Sequence, residues 1–235
     1  MGQVSDEEEV TSARTSKRSV AVFDLGGVLI DWNPRYLYRK LFNGDEQAME
    51  HFLSNICSPA WNEQQDAGRS FADGCASLKA IHPQAAISID AWFERYDEML
   101  AGPIQGTVDI LAELRSRRVP LYALSNWSAE TFPFAQKRFE FLGWFDGIML
   151  SGKVGLVKPD PRFFRVFLES FSIDPANAVF VDDLKHNTEA ATAAGLHGIV
   201  FTGPDQLRRE LAKVNLLSDT VEHLGPNLCD RERHR

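Results

Sequence analysis

The chain has few cysteines, no long apolar run and no excess of positive charge, and each shortage excludes a class of protein. Its 235 residues include only three cysteines, Cys57, Cys75 and Cys229, which lie far apart and form no CxxC pair. We therefore expect reduced cysteines rather than a disulfide framework or a thiolate metal site. No apolar run approaches the roughly 20 residues that a membrane span needs.

The net charge is negative, and this restricts the classes of partner that the protein is expected to bind. A formal net charge of −8 argues against non-specific binding of nucleic acid, although a local cluster of donors still permits an anionic small molecule. The sequence does not start with basic residues followed by an apolar stretch, so we expect no secretory signal. We therefore expect a cytoplasmic protein that does not act on membranes. With 44% hydrophobic residues, the chain is able to bury a full core.

Both ends of the sequence are polar and show no periodicity. Residues 1–18 contain an acidic run, Asp6 to Glu9, followed by basic residues, and the last residues are similarly polar. We expect a disordered tail at 1–18 and a flexible tail at 217–235, because neither segment has enough apolar surface to bury.

Between the ends, short apolar runs alternate with segments of helical periodicity. The pattern predicts strands at 20–23, 120–124, 147–150, 178–181 and 198–201. It predicts helices at 104–118, at 128–139 with Ser128 as the N-cap, at 160–171 with Asp160 as the N-cap, at 187–194 and at 204–214. All-apolar strands alternating with amphipathic helices favour an α/β fold, a doubly wound parallel sheet covered on both faces.

Residues 35–102 interrupt this alternation. They contain helix-like stretches at 36–41, 47–56, 70–81 and 89–100, separated by turn residues such as Pro59 and Pro83, and no convincing buried strand. We therefore predict a core formed by residues 19–34 and 103–216, with a helical cap inserted at 35–102.

Polar side chains follow four of the predicted strands. They are Asp24 after the first strand, Ser125 and Asn126 after the second, Lys158 in the loop after the third, and Asp182 and Asp183 after the fourth. In an open parallel sheet, ligands bind beyond the carboxyl ends of the strands. We therefore expect these side chains to converge on one site.

The chemistry of this set points to a phosphoryl group and a hard cation. Clustered carboxylates repel one another unless a cation joins them, and oxygen-only ligation suits Mg²⁺. A lysine and a hydroxyl beside a metal suit a phosphoryl group, and an aspartate at a strand end is able to attack phosphorus. The glycines after Asp24 allow a sharp turn and a close approach of the backbone.

Four motifs, "FDLGGV", "LSN", "KPDP" and "VFVDD", occur in this order, each at a predicted strand end. With them the sequence resembles the haloacid dehalogenase superfamily over about residues 20–214. The helical insertion resembles the cap of the subgroup that includes the phosphatase domain of soluble epoxide hydrolases and bacterial sugar phosphatases.

The resemblance implies a role for each residue. Asp24 would attack phosphorus, Ser125 would hydrogen-bond the phosphoryl oxygens together with the N–H of Asn126, and Lys158 would neutralise charge on the phosphate and on Asp24. Asp183 would bind Mg²⁺ directly, along with Asp24 and the backbone carbonyl of Gly26, and Asp182 would be a ligand or lie behind one. Asn187 and Trp127 are further candidates for contacts with the phosphate or the substrate.

One position departs from the family pattern. Phosphatases of the family usually have a second aspartate two residues after the nucleophile, as general acid and base, and this chain has Gly26 there. Asp31, His186 or solvent are possible replacements. Three hypotheses follow: a Mg²⁺-dependent phosphatase acting on a small phosphomonoester such as a sugar phosphate, a 2-haloacid dehalogenase in which Asp24 attacks carbon without a metal, and a non-catalytic binding or regulatory protein.

Overall fold

The computed structural model describes residues 19–218. The strands in this range are β1 (Val20–Phe23), β2 (Ile30–Trp32), β3 (Leu100–Pro103), β4 (Leu121–Ser125), β5 (Gly147–Leu150), β6 (Ala178–Asp182) and β7 (His197–Val200). The α-helices are α1 (Arg35–Leu41), α2 (Glu46–Asn55), α3 (Pro59–Asp66), α4 (Phe71–Ile81), α5 (Ala86–Glu94), α6 (Gln105–Ser116), α7 (Phe132–Arg138), α8 (Ser151–Val154), α9 (Pro161–Ser170), α10 (Lys185–Ala193) and α11 (Pro204–Lys213).

Five of the strands form one parallel sheet in the order β5-β4-β1-β6-β7. In the middle of this sheet, Phe23 of β1 is aligned with Ala123 of β4 on one side and with Val181 of β6 on the other. The chain first adds β4 and β5 beside β1 and then crosses to β6 and β7, so the carboxyl end of β1 is the topological switch point of the sheet. The predicted doubly wound α/β fold is confirmed.

Helices cover both faces of the sheet, which explains the all-apolar strands. Val22 and Phe180 face α9, whose Phe163 and Phe167 pack against them in one cluster. The alternate residues of the same strands belong to a second cluster, in which Phe23 lies with side chains of α6, α11 and the inserted helices. Because successive strand residues point to opposite faces, a strand buried on both sides has no room for polar residues.

The inserted helices α1 to α5 lie between β2 and β3 in sequence. These two strands pair as a short antiparallel ribbon, with Asp31 opposite Gly102. An aromatic cluster holds the helices together: the ring of Trp92 lies 5.8 Å from that of Tyr38 and 5.4 Å from that of Trp61. The chain therefore leaves the main sheet after β1, forms a helical cap, and returns through the ribbon to α6.

Most predicted helices differ from the observed ones by one or two residues at each end, but two predictions were wrong. The helix expected at 128–139 begins at Phe132, and Ser128 does not cap it; the Ser128 hydroxyl accepts a hydrogen bond from the N–H of Glu130 in the preceding turn instead. The helix expected at 89–100 spans Ala86–Glu94 and is followed by a 3₁₀ turn and β3.

Four elements were missed, namely the strands β2 and β3 and the helices α3 and α8. Pro59 was expected to break structure, yet it is the first residue of α3, with the Ser58 hydroxyl accepting from the N–H of Trp61 at the N-cap; proline is well suited to the first helical position. The strand β3 lies at the end of the predicted insertion, and of its residues only Leu100 is buried. A strand so exposed leaves no apolar run in the sequence.

The predicted tails lie almost wholly outside the described residues, as does Cys229. Leu217, the first residue of the predicted C-terminal tail, is buried and packs on the core, so the folded part extends slightly further than expected. Cys57 and Cys75 are free, buried thiols. Within residues 19–218 no helix has the length and apolar character needed to cross a membrane.

Candidate active site

Asp24 lies directly after β1, at the switch point of the sheet. Its backbone N–H continues the sheet by donating to the carbonyl of Val181 at 2.8 Å. Its carboxylate is nearly buried, and Oδ1 accepts hydrogen bonds from the Ser125 hydroxyl at 2.7 Å and from the N–H of Leu25 at 2.7 Å. Two residues 101 positions apart thus meet because β1 and β4 are parallel neighbours.

The ammonium group of Lys158 lies between two carboxylates. Its Nζ is 3.1 Å from Oδ2 of Asp24 and 2.7 Å from Oδ2 of Asp182, and the lysine side chain has no exposure to solvent. A buried cation is tolerated only when it is paired and hydrogen-bonded. The two aspartates therefore fix the lysine beside the carboxylate of Asp24.

Asp182 is fully buried and is held by donors of the protein itself. Besides Lys158, it accepts from the N–H of Leu184 at 2.8 Å and from Nδ2 of Asn187 at 3.1 Å. Asn187 was predicted to contact the phosphate, but its amide nitrogen points to Asp182, and its Oδ1 has no partner among the described residues. Asn187 therefore positions Asp182, and a contact with phosphate stays a prediction.

Asp183 completes an oxygen-rich cluster. One carboxylate oxygen from each of Asp24, Asp182 and Asp183 lies within 4.8 Å of the other two, and Asp183 is exposed to solvent. The backbone makes room for it at Gly27, whose φ is +73° and where a Cβ would stand 2.6 Å from Oδ2 of Asp183. Three converging carboxylates with no softer ligand fit Mg²⁺.

Gly26 lies in the same turn, but its surroundings are open. A Cβ built there would meet no atom within 4 Å, so the backbone at this position has room for a side chain to begin. The missing aspartate is thus a difference in chemistry and not a steric requirement of this backbone. The carbonyl of Gly26 as a metal ligand stays a prediction.

Asn126 and Trp127 follow β4, and both contact the protein rather than an open cleft. Asn126 bonds the backbone of Lys158 through both atoms of its amide, accepting at 2.8 Å and donating at 3.0 Å. Trp127 is buried and donates its indole N–H to the hydroxyl of Thr131, while its ring lies 6.3 Å from that of Tyr96 in the cap. Trp127 therefore joins core and cap, and a contact with substrate stays a prediction.

A sequence profile described as haloacid dehalogenase-like hydrolase matches residues 19–195. The chain belongs to this hydrolase family. Sesquiterpene phosphatase astK of Aspergillus oryzae is 31% identical over 183 residues, which cover 77% of this chain and 89% of that protein. Drimenol cyclase drtB of Aspergillus calidoustus is 34% identical over 208 residues, which cover 82% of this chain but 36% of the cyclase.

A solved structure shares the fold of this haloacid dehalogenase-like hydrolase. The HAD family enzyme from Bacteroides thetaiotaomicron, in complex with magnesium and inorganic phosphate, superposes with a TM-score of 0.62 at 24% identity. The match covers 79% of this chain and 95% of that one. That enzyme therefore holds magnesium and inorganic phosphate on a fold similar to the one described here.

Burial sets the protonation of the central residues of the hydrolase. It raises the pKa of Asp24 to about 6, against the opposing attraction of Lys158. Burial alone would lower the pKa of Lys158, but the attraction of Asp24 and Asp182 outweighs it and raises that pKa. The pKa of Asp183 is also raised, first by desolvation and then by repulsion from Asp182. With all three aspartates ionised, the single ammonium of Lys158 would leave the cluster with a negative charge that a cation would relieve.

The hydrolase has a further carboxylate beside this site that the sequence analysis did not identify. Asp66, the last residue of α3 in the cap, accepts a hydrogen bond at Oδ1 from the N–H of Ser128, at 3.0 Å. Its Oδ2 accepts from Nδ2 of Asn62 at 2.8 Å. Nothing in the sequence indicates this contact, since it joins positions 62 apart and depends on a helix that was not predicted.

The other replacements considered for the missing aspartate are placed differently. Asp31 lies in the ribbon, where the hydroxyl of Tyr36 donates to both its oxygens, at 3.0 and 2.9 Å. His186 is exposed on α10, close enough to Asp183 to oppose the rise in its pKa. Of these groups, only Asp66 is hydrogen-bonded to the loop that follows Ser125.

Proposed function

We propose that the protein is a Mg²⁺-dependent phosphatase that hydrolyses a small phosphomonoester through an aspartyl-phosphate formed on Asp24. The observation that carries the proposal is the cluster at the switch point: a carboxylate with a buried ammonium 3.1 Å away and two further aspartates within reach of one cation. This combination suits a group that carries several negative charges, which a carboxylate would otherwise repel. The relationship to a sesquiterpene phosphatase supports the same reaction class.

Asp24, Ser125 and Lys158 each have a separate role in the first half of the reaction. A carboxylate oxygen of Asp24 attacks phosphorus, the P–O bond to the alcohol breaks, and the alcohol leaves. The hydroxyl of Ser125 and the ammonium of Lys158, both held against Asp24, donate to the phosphoryl oxygens as their charge shifts. A bound Mg²⁺ would be held by Asp24 and Asp183 and would supply positive charge next to the phosphoryl group.

The second half returns the enzyme to its starting state. Water attacks the phosphorus of the aspartyl-phosphate, the bond to Asp24 breaks, and inorganic phosphate leaves. The pairing of Lys158 with Asp182, at 2.7 Å, gives the ammonium a second partner that is independent of Asp24 and its esterification. The cap limits entry of further water, because its residues hydrogen-bond the loop after β4.

The relatives suggest which esters to test. The phosphatase from Aspergillus oryzae is named for sesquiterpenes and matches most of this chain, so farnesyl phosphate belongs in a screen beside sugar phosphates and nucleotides.

The experiment measures inorganic phosphate released from these esters by the protein with Mg²⁺ and with EDTA. The Asp24→Asn variant is the blank, and Asp109→Asn, the same change on the exposed side of α6, is the matched control. We expect Mg²⁺-dependent release that Asp24→Asn abolishes and Asp109→Asn preserves. Chloride released from 2-chloropropionate in EDTA would favour the dehalogenase hypothesis instead, and no turnover of any substrate would favour a non-catalytic protein.

A further inference from the structure

Hydrolysis of an ester of a poor leaving group requires a proton, and the turn after Asp24 does not supply one. Gly26 has no side chain, and the space beside it is empty of protein atoms. The Ser125 hydroxyl donates to Asp24, and the Lys158 ammonium is paired with both Asp24 and Asp182, so these two donors are already engaged by carboxylates of the site. General acid–base help contributes roughly 10²- to 10⁴-fold to such a reaction. The source of the proton therefore lies elsewhere.

The end of α3 approaches the site from the cap. Asp66 accepts from the N–H of Ser128, which follows Ser125 by three residues on the loop after β4. Glycines allow the end of α3, α8 and the loop after β4 to approach one another closely. A Cβ at Gly152 in α8 would stand 2.6 Å from the N of Ala129. A Cβ at Gly68 would stand 3.3 Å from the carbonyl of Gly152. The end of α3, α8 and the loop after β4 therefore form one tightly packed junction.

We propose that Asp66 is the general acid and base of this hydrolase, brought by the cap to the loop that follows Ser125. The inference rests on the phosphatase function proposed above. It explains how a chain without the second aspartate of the first motif retains proton transfer, since a carboxyl group from another element replaces it.

The proton balance closes over the two steps. In the first, the P–O bond to the alcohol breaks as Asp24 binds phosphorus, and the Asp66 carboxyl gives its proton to the departing oxygen. In the second, the Asp66 carboxylate takes a proton from the water that attacks the aspartyl-phosphate. Phosphate leaves, Asp24 is again a carboxylate, and Asp66 is again protonated.

The electrostatic surroundings of Asp66 suit this role. Burial raises the pKa of Asp66 to about 7, the hydrogen bond from Ser128 opposes the rise, and the charges of Glu63 and Asp24 add to it. Burial, and then the negative charge of Asp66, raise the pKa of the Tyr96 phenol in turn. An acid–base group is most effective when its pKa lies near the working pH.

The test separates the two chemical steps. The Asp66→Asn variant keeps an oxygen to accept from Ser128 and loses the ability to carry a proton; its new amide nitrogen faces Asn62, whose own amide has to turn over to accept from it. Two substrates of nearly equal shape, p-nitrophenyl phosphate and phenyl phosphate, differ in how much their leaving groups need protonation. The matched control is Glu130→Gln, because Glu130 accepts from the N–H of Phe71 at 3.1 Å and so makes the other carboxylate–amide contact between core and cap.

With p-nitrophenyl phosphate, we expect Asp66→Asn to release about one equivalent of p-nitrophenol in a burst and then turn over slowly, because only the water step needs the base. With phenyl phosphate, we expect no burst and a kcat lower by roughly 10²- to 10⁴-fold, because the first step also needs the acid. Glu130→Gln should show no burst with either substrate.

A merely structural role for Asp66 would slow both esters equally, without a burst, and that result would overturn the inference while leaving the phosphatase function intact. An unchanged rate in Asp66→Asn would overturn it as well. If the wild-type protein released phosphate from neither ester nor from any compound in the screen, the proposed function would fail, and this inference with it.

Discussion

Asn126 holds the backbone of Lys158 by two hydrogen bonds, accepting from its N–H at 2.8 Å and donating to its carbonyl at 3.0 Å. A carboxamide is the side chain that matches both groups of one peptide unit. The bonds attach the loop that precedes α9 to the end of β4, next to Ser125. They fix the starting point from which the lysine side chain reaches Asp24, so this asparagine is a positioning residue.

We expect Asn126→Ala to lower kcat by about 10- to 100-fold, because a misplaced group near the reacting atoms costs on this order. Binding of Mg²⁺ should change little, since Asn126 contacts none of the three aspartates in the structure. Steady-state kinetics and a metal-dependent thermal shift measure the two quantities. The control is Asn177→Ala, whose side chain bonds only Asp174 among the described contacts. A wild-type kcat in Asn126→Ala would show that Lys158 is held by its ion pairs alone.

Lys158→Met should destabilise the protein strongly in the absence of metal. Removing the ammonium leaves Asp24 and Asp182 buried and adjacent without a compensating charge, and breaking a buried pair in this way costs about 3–5 kcal/mol. Added Mg²⁺ should recover part of that loss, and Lys158→Met combined with Asp182→Asn should be less destabilised than Lys158→Met alone. Urea unfolding with EDTA and with Mg²⁺ gives the free energies of unfolding.

The two glycines after Asp24 should respond differently to alanine. Gly27 has a φ of +73° and lies against the carboxylate of Asp183, so Gly27→Ala should cost about 1–3 kcal/mol and displace a metal-binding group. Gly26→Ala meets no neighbour within 4 Å and should change stability by less than about 1 kcal/mol. Thermal unfolding with and without Mg²⁺ measures both effects, and equal losses in the two variants would contradict the close approach at Gly27.

Gly26→Asp should supply a second proton donor. The backbone at Gly26 has room for a side chain to begin, so we expect faster turnover of esters with poor leaving groups and little change with p-nitrophenyl phosphate. The gain should be larger in an Asp66→Asn background, where the first step lacks an acid, and kcat for phenyl phosphate in the single and double variants measures it. An unchanged rate in both backgrounds would mean that protonation does not limit the reaction.

The parallel sheet was predictable because its signal is local. Each core strand is an apolar run of a few residues that ends on a polar residue, and parallel neighbours bring their carboxyl ends to one edge. That rule alone places Asp24 near Ser125 and Lys158. It says nothing about which polar group bonds which, so the hydrogen bonds of the Asn126 side chain to Lys158 and of the Asn187 side chain to Asp182 were not predictable.

The contacts of the cap were not predictable for the opposite reason. A proline such as Pro59 either interrupts a helix or occupies its first position. Only the hydrogen bond at the Ser58 N-cap shows that the second case applies here. Asp66 lies at the end of that helix, where its neighbour Ser128 comes from a loop 62 positions away. No periodicity records such a pairing, because it depends on how two separately formed units pack.

The last prediction concerns the stability of Asp66→Asn. Whether the variant is more or less stable than the wild type distinguishes a chemical role of Asp66 from a structural one. Folding raises the pKa of Asp66 to about 7, chiefly through burial, from an ordinary value near ~4 in the unfolded chain. The folded state therefore favours the protonated form. Its contribution to stability is fully present below about pH 4 and is lost as the pH rises through about 7. Asparagine is neutral at every pH and has no such loss.

At pH 8 we therefore expect Asp66→Asn to be more stable than the wild type by on the order of 1 kcal/mol, with the difference shrinking as the pH falls toward 4. Urea unfolding at pH 5 and pH 8 measures it. A substitution that stabilises the fold while slowing the reaction marks a residue kept for chemistry at a cost in stability. If Asp66→Asn were instead less stable than the wild type at pH 8, the hydrogen bonds that the charged carboxylate accepts from Ser128 and Asn62 would be the main reason for an aspartate at this position.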